Sequence, residues 1–213
     1  MADGPLPAAR GFALPAEWEP HEATWLAWPH DARDWPGRFA PVPWVCAEVA
    51  RKVAEGETVR LLVRSAGEGA RARRRLEQLG SDLSRVHLLR LPTDRIWTRD
   101  SGPIVLRARA GGARAVAGFR FDAWARYPDH RRDARLAGSA ARALGLPLLP
   151  VRHRGRDVVL EGGAIDVNGR GTVLATEECL LDPHVQVRNP GFGREDYERI
   201  FRDVLGAPNT VWL

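Results

Sequence analysis

Apolar positions recur along this chain at two periods. Thr24-Trp25-Leu26-Ala27-Trp28 is a short apolar run stopped by Pro29, which reads as a buried strand. Val42, Val45, Cys46, Val49 and Val53 recur at helical spacing, predicting a helix over 42–54 with that stripe in the core. Strands are expected at 58–63 and 86–89, flanking a helix over 67–79 that closes at Gly80. A hairpin follows, with 104–109 and 113–121 joined at Gly111-Gly112. Residues 132–144 read as a helix ending at Gly145, and 147–149 as a short strand. Strands are expected at 158–160, 164–167 and 172–175, the last two joined by a tight turn at Asn168-Gly169. A helical turn at 177–181 and a helix over 194–205 precede Thr210 to Leu213, which reads as the start of a strand. Trp18, Trp25 and Trp28 are expected in the core, and His21 as a structural histidine.

Strands alternate with helices, but hairpins interrupt them. The predicted fold class is therefore α/β, built of repeated mixed units and not doubly wound. Residues 1–13 read as a flexible lead and 14–213 as the folded domain. At 213 residues the chain can bury a sizeable core. No apolar run reaches membrane-spanning length, so no membrane partner is expected, and the N-terminus does not resemble a signal peptide. Cys46 and Cys179 form no CxxC pair and no metal-spaced cluster. That argues against a disulfide framework and a zinc site, and fits a reducing, cytoplasmic setting. The formal net charge is +5, and Lys52 is the only lysine among 32 basic residues. The arginines are scattered, and the one dense run, Arg71 to Arg75, falls on the predicted helix 67–79, so nucleic-acid binding is not expected.

Two acidic residues stand out. Asp100 follows Trp97-Thr98-Arg99 and precedes Ser101-Gly102-Pro103, a turn into the apolar run 104–106. Glu161 ends the run 158–160 and is followed by Gly162-Gly163. Two carboxylates at strand mouths, one near an indole, suit a planar cation such as a guanidinium: carboxylates meet its fork of donors and an aromatic ring covers its face. Each residue also has a plainer reading. Asp100 could cap the turn at Gly102-Pro103, Glu161 could be an exposed strand-end acid, and Trp97 could be a packing residue. The glycines after Glu161 favour close backbone approach instead. Cys46 lies on the apolar stripe and reads as core, and Glu177 and Glu178 should raise the pKa of the Cys179 thiol.

These segments carry a family resemblance. Residues 15–29, 34–37, 97–103, 121–124, 160–165 and 176–181 resemble, in order, the N-terminal part of the agmatine deiminase family, which also includes Porphyromonas-type peptidyl-arginine deiminases. The resemblance implies a pentein fold, a five-bladed α/β propeller of which this chain would hold about two and a half to three blades. It implies a small guanidino substrate, agmatine, with peptidyl-arginine or arginine as alternative substrates, and no metal or organic cofactor. A non-catalytic guanidine or polyamine binder is a further alternative. Asp100 and Glu161 would be catalytic. Trp97, Asp94, Arg99, Gly162 and Gly163 would bind substrate, with Arg99 fixing Asp100 by a bidentate pair. The family's catalytic histidine, second aspartate and nucleophilic cysteine lie in words absent from these 213 residues. The chain is therefore expected to be inactive alone, to leave Trp212 and Leu213 without partners, and to form a homo-oligomer or take a complementing C-terminal chain.

Overall fold

The computed structural model describes residues 6–213. Its strands, in chain order, are β1 (Phe12–Ala13), β2 (Ala23–Ala27), β3 (Thr58–Leu62), β4 (Val86–Leu89), β5 (Ile104–Ala108), β6 (Arg114–Gly118), β7 (Leu148–Pro150), β8 (Arg152–His153), β9 (Arg156–Asp157), β10 (Asp166–Val167), β11 (Thr172–Ala175) and β12 (Asn209–Trp212). The α-helices are α1 (Val42–Ala54), α2 (Ala66–Gln78), α3 (Thr98–Ser101), α4 (Leu136–Leu144), α5 (Glu177–Leu181) and α6 (Arg194–Ile200). The chain divides into two compact units, one comprising residues 20–98 and 130–133, the other the remainder. None of the helices among the described residues is long and apolar enough to cross a membrane.

The 20–98 unit is a parallel sheet of order β2-β3-β4, with α1 and α2 as its crossovers. Parallel neighbours require such crossovers, and the two helices pack on each other. Its core joins Trp28, Val59, Leu61, Val63, Leu76 and Val86 to alanines of the helices. The predicted extent of α1 is met, but the buried face is not the predicted one. Ala47, Ala50 and Ala54 are buried, whereas Val45 and Val49 are exposed and Cys46 is half-buried. Both faces of α1 carry apolar residues at helical spacing, and the alanine face lets the helix sit close to its neighbours. Hydrophobic period alone cannot rank a small face against a bulky one. Of the three tryptophans expected in the core, Trp28 is buried. Trp25 is half-buried under Arg60, and Trp18, in the other unit, is 74% exposed.

The second unit contains one module twice. In the first copy, β5 and β6 form an antiparallel hairpin and β7 returns parallel to β6 after α4. In the second, β10 and β11 form the hairpin and β12 returns parallel to β11 after α5 and α6. Each module is a hairpin, a helix and a parallel third strand, which is the mixed unit the sequence suggested. Gly111 and Gly112 turn the first hairpin in the left-handed region. In the second, the Asn168 side chain accepts from the backbone N–H of Arg170 and Thr172. The core of this unit runs from Phe12 and Leu106 through Val158, Leu160 and Val173 to Tyr197, Phe201 and Leu205.

Three expectations are corrected here. Residues 8–13, read as lead, form a 3-10 turn and then β1, which pairs antiparallel with β5 and buries Phe12; residues 1–5 of that lead lie outside the described residues. Residues 158–160 make only an isolated bridge, Arg120 to Val159, and 162–164 is a 3-10 turn preceding β10. Trp212 does have side-chain partners, whereas the Leu213 side chain is 68% exposed, as expected, and only its backbone is bonded. The Trp212 ring packs on Tyr197 and Phe201 and its Nε1 donates to Glu198, while Leu213 donates to Ala175 and accepts from Glu177 through its backbone.

Candidate functional site

The site is built on the segment that carries Glu161, and polar residues hold that segment in place of a full β-ladder. On one side, Arg120 donates from its backbone to Val158 and accepts from Leu160. On the other, Asn189 acts as a one-residue strand: its Oδ1 accepts from Val159 N–H at 3.0 Å and its Nδ2 donates to Val159 C=O at 2.8 Å. The Asn189 amide also donates to the Tyr197 hydroxyl. Every polar atom of Val159 is thus met inside the core, where an unpaired one would be costly.

The chain then leaves the core at Glu161, whose side chain is 1% exposed. Its partner is Arg188, itself buried. Arg188 Nε donates to both carboxylate oxygens, at 3.2 and 3.3 Å. Arg188 Nη1 donates to the carbonyls of Cys179 and Gln186, which fixes the guanidinium in place. Burial pushes the Glu161 carboxyl above its usual range; Arg188 opposes the shift and Asp122 adds to it. A carboxyl in this state exchanges protons closer to neutrality than an exposed glutamate does.

Gly162 and Gly163 bring the second carboxylate to the first. A Cβ at Gly162 would strike the Arg99 carbonyl, and one at Gly163 would run into Asp100 Oδ1. Only glycine permits this approach, as the sequence suggested. The Gly163 N–H donates to the Asp100 carboxylate, whose pKa is nonetheless raised by burial, with Arg99 and Arg188 opposing. Arg99 does not form the expected bidentate pair with Asp100; its guanidinium pairs with Glu17. Beside these segments, Ala123, Trp124 and Ala125 all have positive φ, at 56°, 62° and 53°. Left-handed backbone at three consecutive non-glycine residues stores strain, of the kind found near functional sites.

Asp94 and Trp97 belong to the other unit. The Asp94 carboxylate accepts from the Arg132 backbone, and its own N–H donates to Asp133. Trp97 is 42% exposed and tilts against Trp35. Cys179 sits near the carboxylates but is not activated: burial, first, and then Glu161 and Asp100 push its thiol upward against the pull of Arg188. The sequence reading had the direction right and attributed it to the wrong acids. Among the described residues no group of His, Cys, Asp and Glu could hold a metal ion.

Arg188 and Asn189 were missed from the sequence. One arginine among so many gives no compositional signal, and the partners lie 27 and 30 residues away. The available hint was that Arg-Asn-Pro closes a loop of 182–190 that is otherwise without repetitive structure.

The sequence profile of the Porphyromonas-type peptidyl-arginine deiminase family matches residues 13–213. The chain is 36% identical to the agmatine deiminase of Pseudomonas aeruginosa strain LESB58, over 97% of this chain and 54% of the relative. It is 35% identical to that of Ectopseudomonas mendocina, with the same shares covered. Its fold superposes on the solved structure of the Enterococcus faecalis agmatine deiminase with a TM-score of 0.85 at 28% identity, covering 99% of this chain and 55% of that one. The chain thus spans about half the length of the curated relatives it matches. A match from residue 13 to residue 213, over a buried carboxylate segment, its glycine contact and two repeats of one module, makes this chain a member of the Porphyromonas-type peptidyl-arginine deiminase family.

Proposed function

We propose that the chain supplies the guanidinium-holding carboxylates of an agmatine deiminase, which hydrolyses agmatine to N-carbamoylputrescine and ammonia. The observation that carries this reading is the contact between segments 99–101 and 161–163, where a buried and a half-buried carboxyl, both with raised pKa, meet across a glycine that admits no side chain. A guanidinium is resonance-stabilised and a poor electrophile, so its hydrolysis needs carboxylates to orient it and to move protons. In this reading Asp100 accepts from two substrate N–H groups. Glu161, with spare acceptor capacity on both oxygens, holds another edge of the guanidinium and takes up or returns the proton as ammonia leaves and water enters. Gly162 and Gly163 keep that edge open, and Arg99 shapes it through its backbone.

A thiolate attacks the guanidinium carbon, ammonia departs with the transferred proton, and water then displaces the thiolate from the resulting amidino thioether. Neither Cys46 nor Cys179 is suited to this, because burial raises both thiols. In this reading the thiolate and its partner histidine are not among these 213 residues, as the family resemblance implies. The steps so written need no metal or organic cofactor. The repeated hairpin–helix–strand module supports a five-bladed propeller for the completed domain, and unpaired cysteines fit a cytoplasmic enzyme.

The test is made in the completed enzyme. Glu161→Gln should lower kcat by at least about two orders of magnitude, since the amide keeps the shape but cannot accept a proton. Asp100→Asn should weaken transition-state binding by about 1.5–3 kcal/mol, and more than Asp94→Asn does. Near-normal kcat in Glu161→Gln, or equal effects at Asp94 and Asp100, overturns the assignment.

A further inference from the structure

Three arginines of the dense run 71–75, Arg71, Arg74 and Arg75, line a cavity of about 410 Å3 in the 20–98 unit. The cavity lies beyond the C-terminal ends of β2 and β3, where Trp28-Pro29-His30 and Arg64 leave the sheet, beside Pro43 in the first turn of α1 and along one face of α2 from Glu68 to Gln78. Its volume falls within the range of small-molecule sites. The lining holds four guanidiniums, Arg64, Arg71, Arg74 and Arg75, against one carboxylate, Glu68.

These five groups are not equivalent. Glu68 is buried, and it is occupied by the Arg64 backbone N–H and Arg64 Nε. Arg75 stacks on the Trp44 ring at 3.8 Å, which orients its guanidinium. Arg71 and Arg74 have no acidic partner among the described residues, whereas Arg73, absent from the lining, lies 4.0 Å from Glu77 one turn on. The arginines of α2 are thus sorted by face, with the unpaired ones toward the cavity. The other walls are apolar: Trp28, Pro29, Phe39 and Pro43. His30 lines the cavity as well. Its Nε2 bonds Thr93, and its buried Nδ1 has no partner.

We propose that this cavity is a binding site for a small phosphorylated molecule with a planar ring, separate from the carboxylate pair of Asp100 and Glu161. Arg71, Arg74 and Arg75 meet the phosphate, because guanidinium forks match phosphate oxygens in pairs. The Trp28, Phe39 and proline walls take the ring. A concave site with one wall of charge and one of apolar surface suits a compact ligand better than a nucleic-acid backbone, which would be met by an exposed basic surface irrespective of face.

The test is calorimetric titration of the 213-residue chain at about 0.15 M salt, near physiological ionic strength. The probes are phenyl phosphate, AMP, adenosine and a single-stranded RNA oligomer. Saturable one-to-one binding of a phosphorylated probe is expected, at least about tenfold tighter than adenosine, a difference of about 1.4 kcal/mol. Arg71→Ala/Arg74→Ala should lose at least about that factor, and Arg73→Ala should stay within about twofold, since rim and paired charges contribute little. The changed positions are exposed, and circular dichroism checks the fold. If the double variant loses helix, the single Arg71→Gln and Arg74→Gln variants carry the comparison. No saturable binding of either phosphorylated probe overturns the proposal, as does equal loss in Arg73→Ala. Preferential RNA binding weakened equally by all three arginine changes overturns it in favour of a nucleic-acid surface.

Discussion

Each unit buries a carboxylate whose pKa is raised, and the two, Glu161 and Asp133, are satisfied by different means. Glu161 is 1% exposed and Asp133 2%. Asp133 accepts from the backbone N–H of Asp94 at 2.8 Å and of Arg95 at 3.1 Å. Its pKa is nevertheless pushed up to about 6, chiefly by burial, with Asp94 nearby adding to the shift. Glu161 is satisfied by a side chain, and a single N–H of Arg188 is shared between its two oxygens. Each Glu161 oxygen therefore keeps acceptor capacity, while the Asp133 oxygens are directed at a loop backbone. Burial alone does not mark a functional carboxylate. Asp133 fixes the turn at Asp94-Arg95, and Glu161 has bonds still to make.

The strongest way to break this comparison is to remove the guanidinium. Arg188→Ala should destabilise the fold by about 3–5 kcal/mol, because it leaves Glu161 as an uncompensated buried charge. A urea-denaturation midpoint close to the parent's would show that the pair does not hold the site. Replacing Arg188 and Glu161 together by a leucine and a glutamine should recover much of the loss, since no buried charge is then stranded.

Asn189→Ala tests the support one step further out. It strands the N–H and C=O of Val159 in the core and should cost about 1–3 kcal/mol. Amide exchange at Val159 should quicken in the same variant. Unchanged exchange there would show that Arg120 alone holds the segment.

Asp133 sharpens the other half of the comparison through pH. Its folded pKa is raised above the ordinary 3.8, so the stability it contributes is fully present below about that pH and is lost as pH rises through about 6. The difference in unfolding free energy between Asp133→Asn and the parent should therefore shift in the variant's favour between about pH 4 and pH 6 and be flat above about pH 7. A difference independent of pH would mean that Asp133 titrates normally. The smallest expected effect is on stability at the arginine-lined cavity. Arg71→Ala/Arg74→Ala should change it by no more than about 0.5 kcal/mol, because exposed guanidiniums without partners hold nothing together. A larger loss by thermal unfolding would show that these arginines pack the helix.

The helices and strands were legible because their signals are local. α1 begins and ends where its period and its prolines put it, Gly80 and Gly145 turn left-handed just past helix ends, and Asn168-Gly169 closes its hairpin. Gly162-Gly163 was legible for a related reason, because two consecutive glycines after a buried run suit a backbone that must be approached closely. The less legible parts were those in which two patterns compete. α1 offered a valine face and an alanine face, and close approach chose the alanines. Arg99 was adjacent in sequence to Asp100, yet Glu17 met its guanidinium.

The sequence by itself determined most of the longer helices and strands, the two acidic words and the family to which they belong, since each is written in residues a few positions apart. Only the tertiary structure decided which arginine meets Glu161, that Asn189 stands in for a strand, and that the arginines of α2 divide between a paired face and a cavity. A guanidinium can reach any carboxylate that packing brings within about 4 Å. That distance is set by how whole elements settle on a core, and spacing along the chain does not encode it.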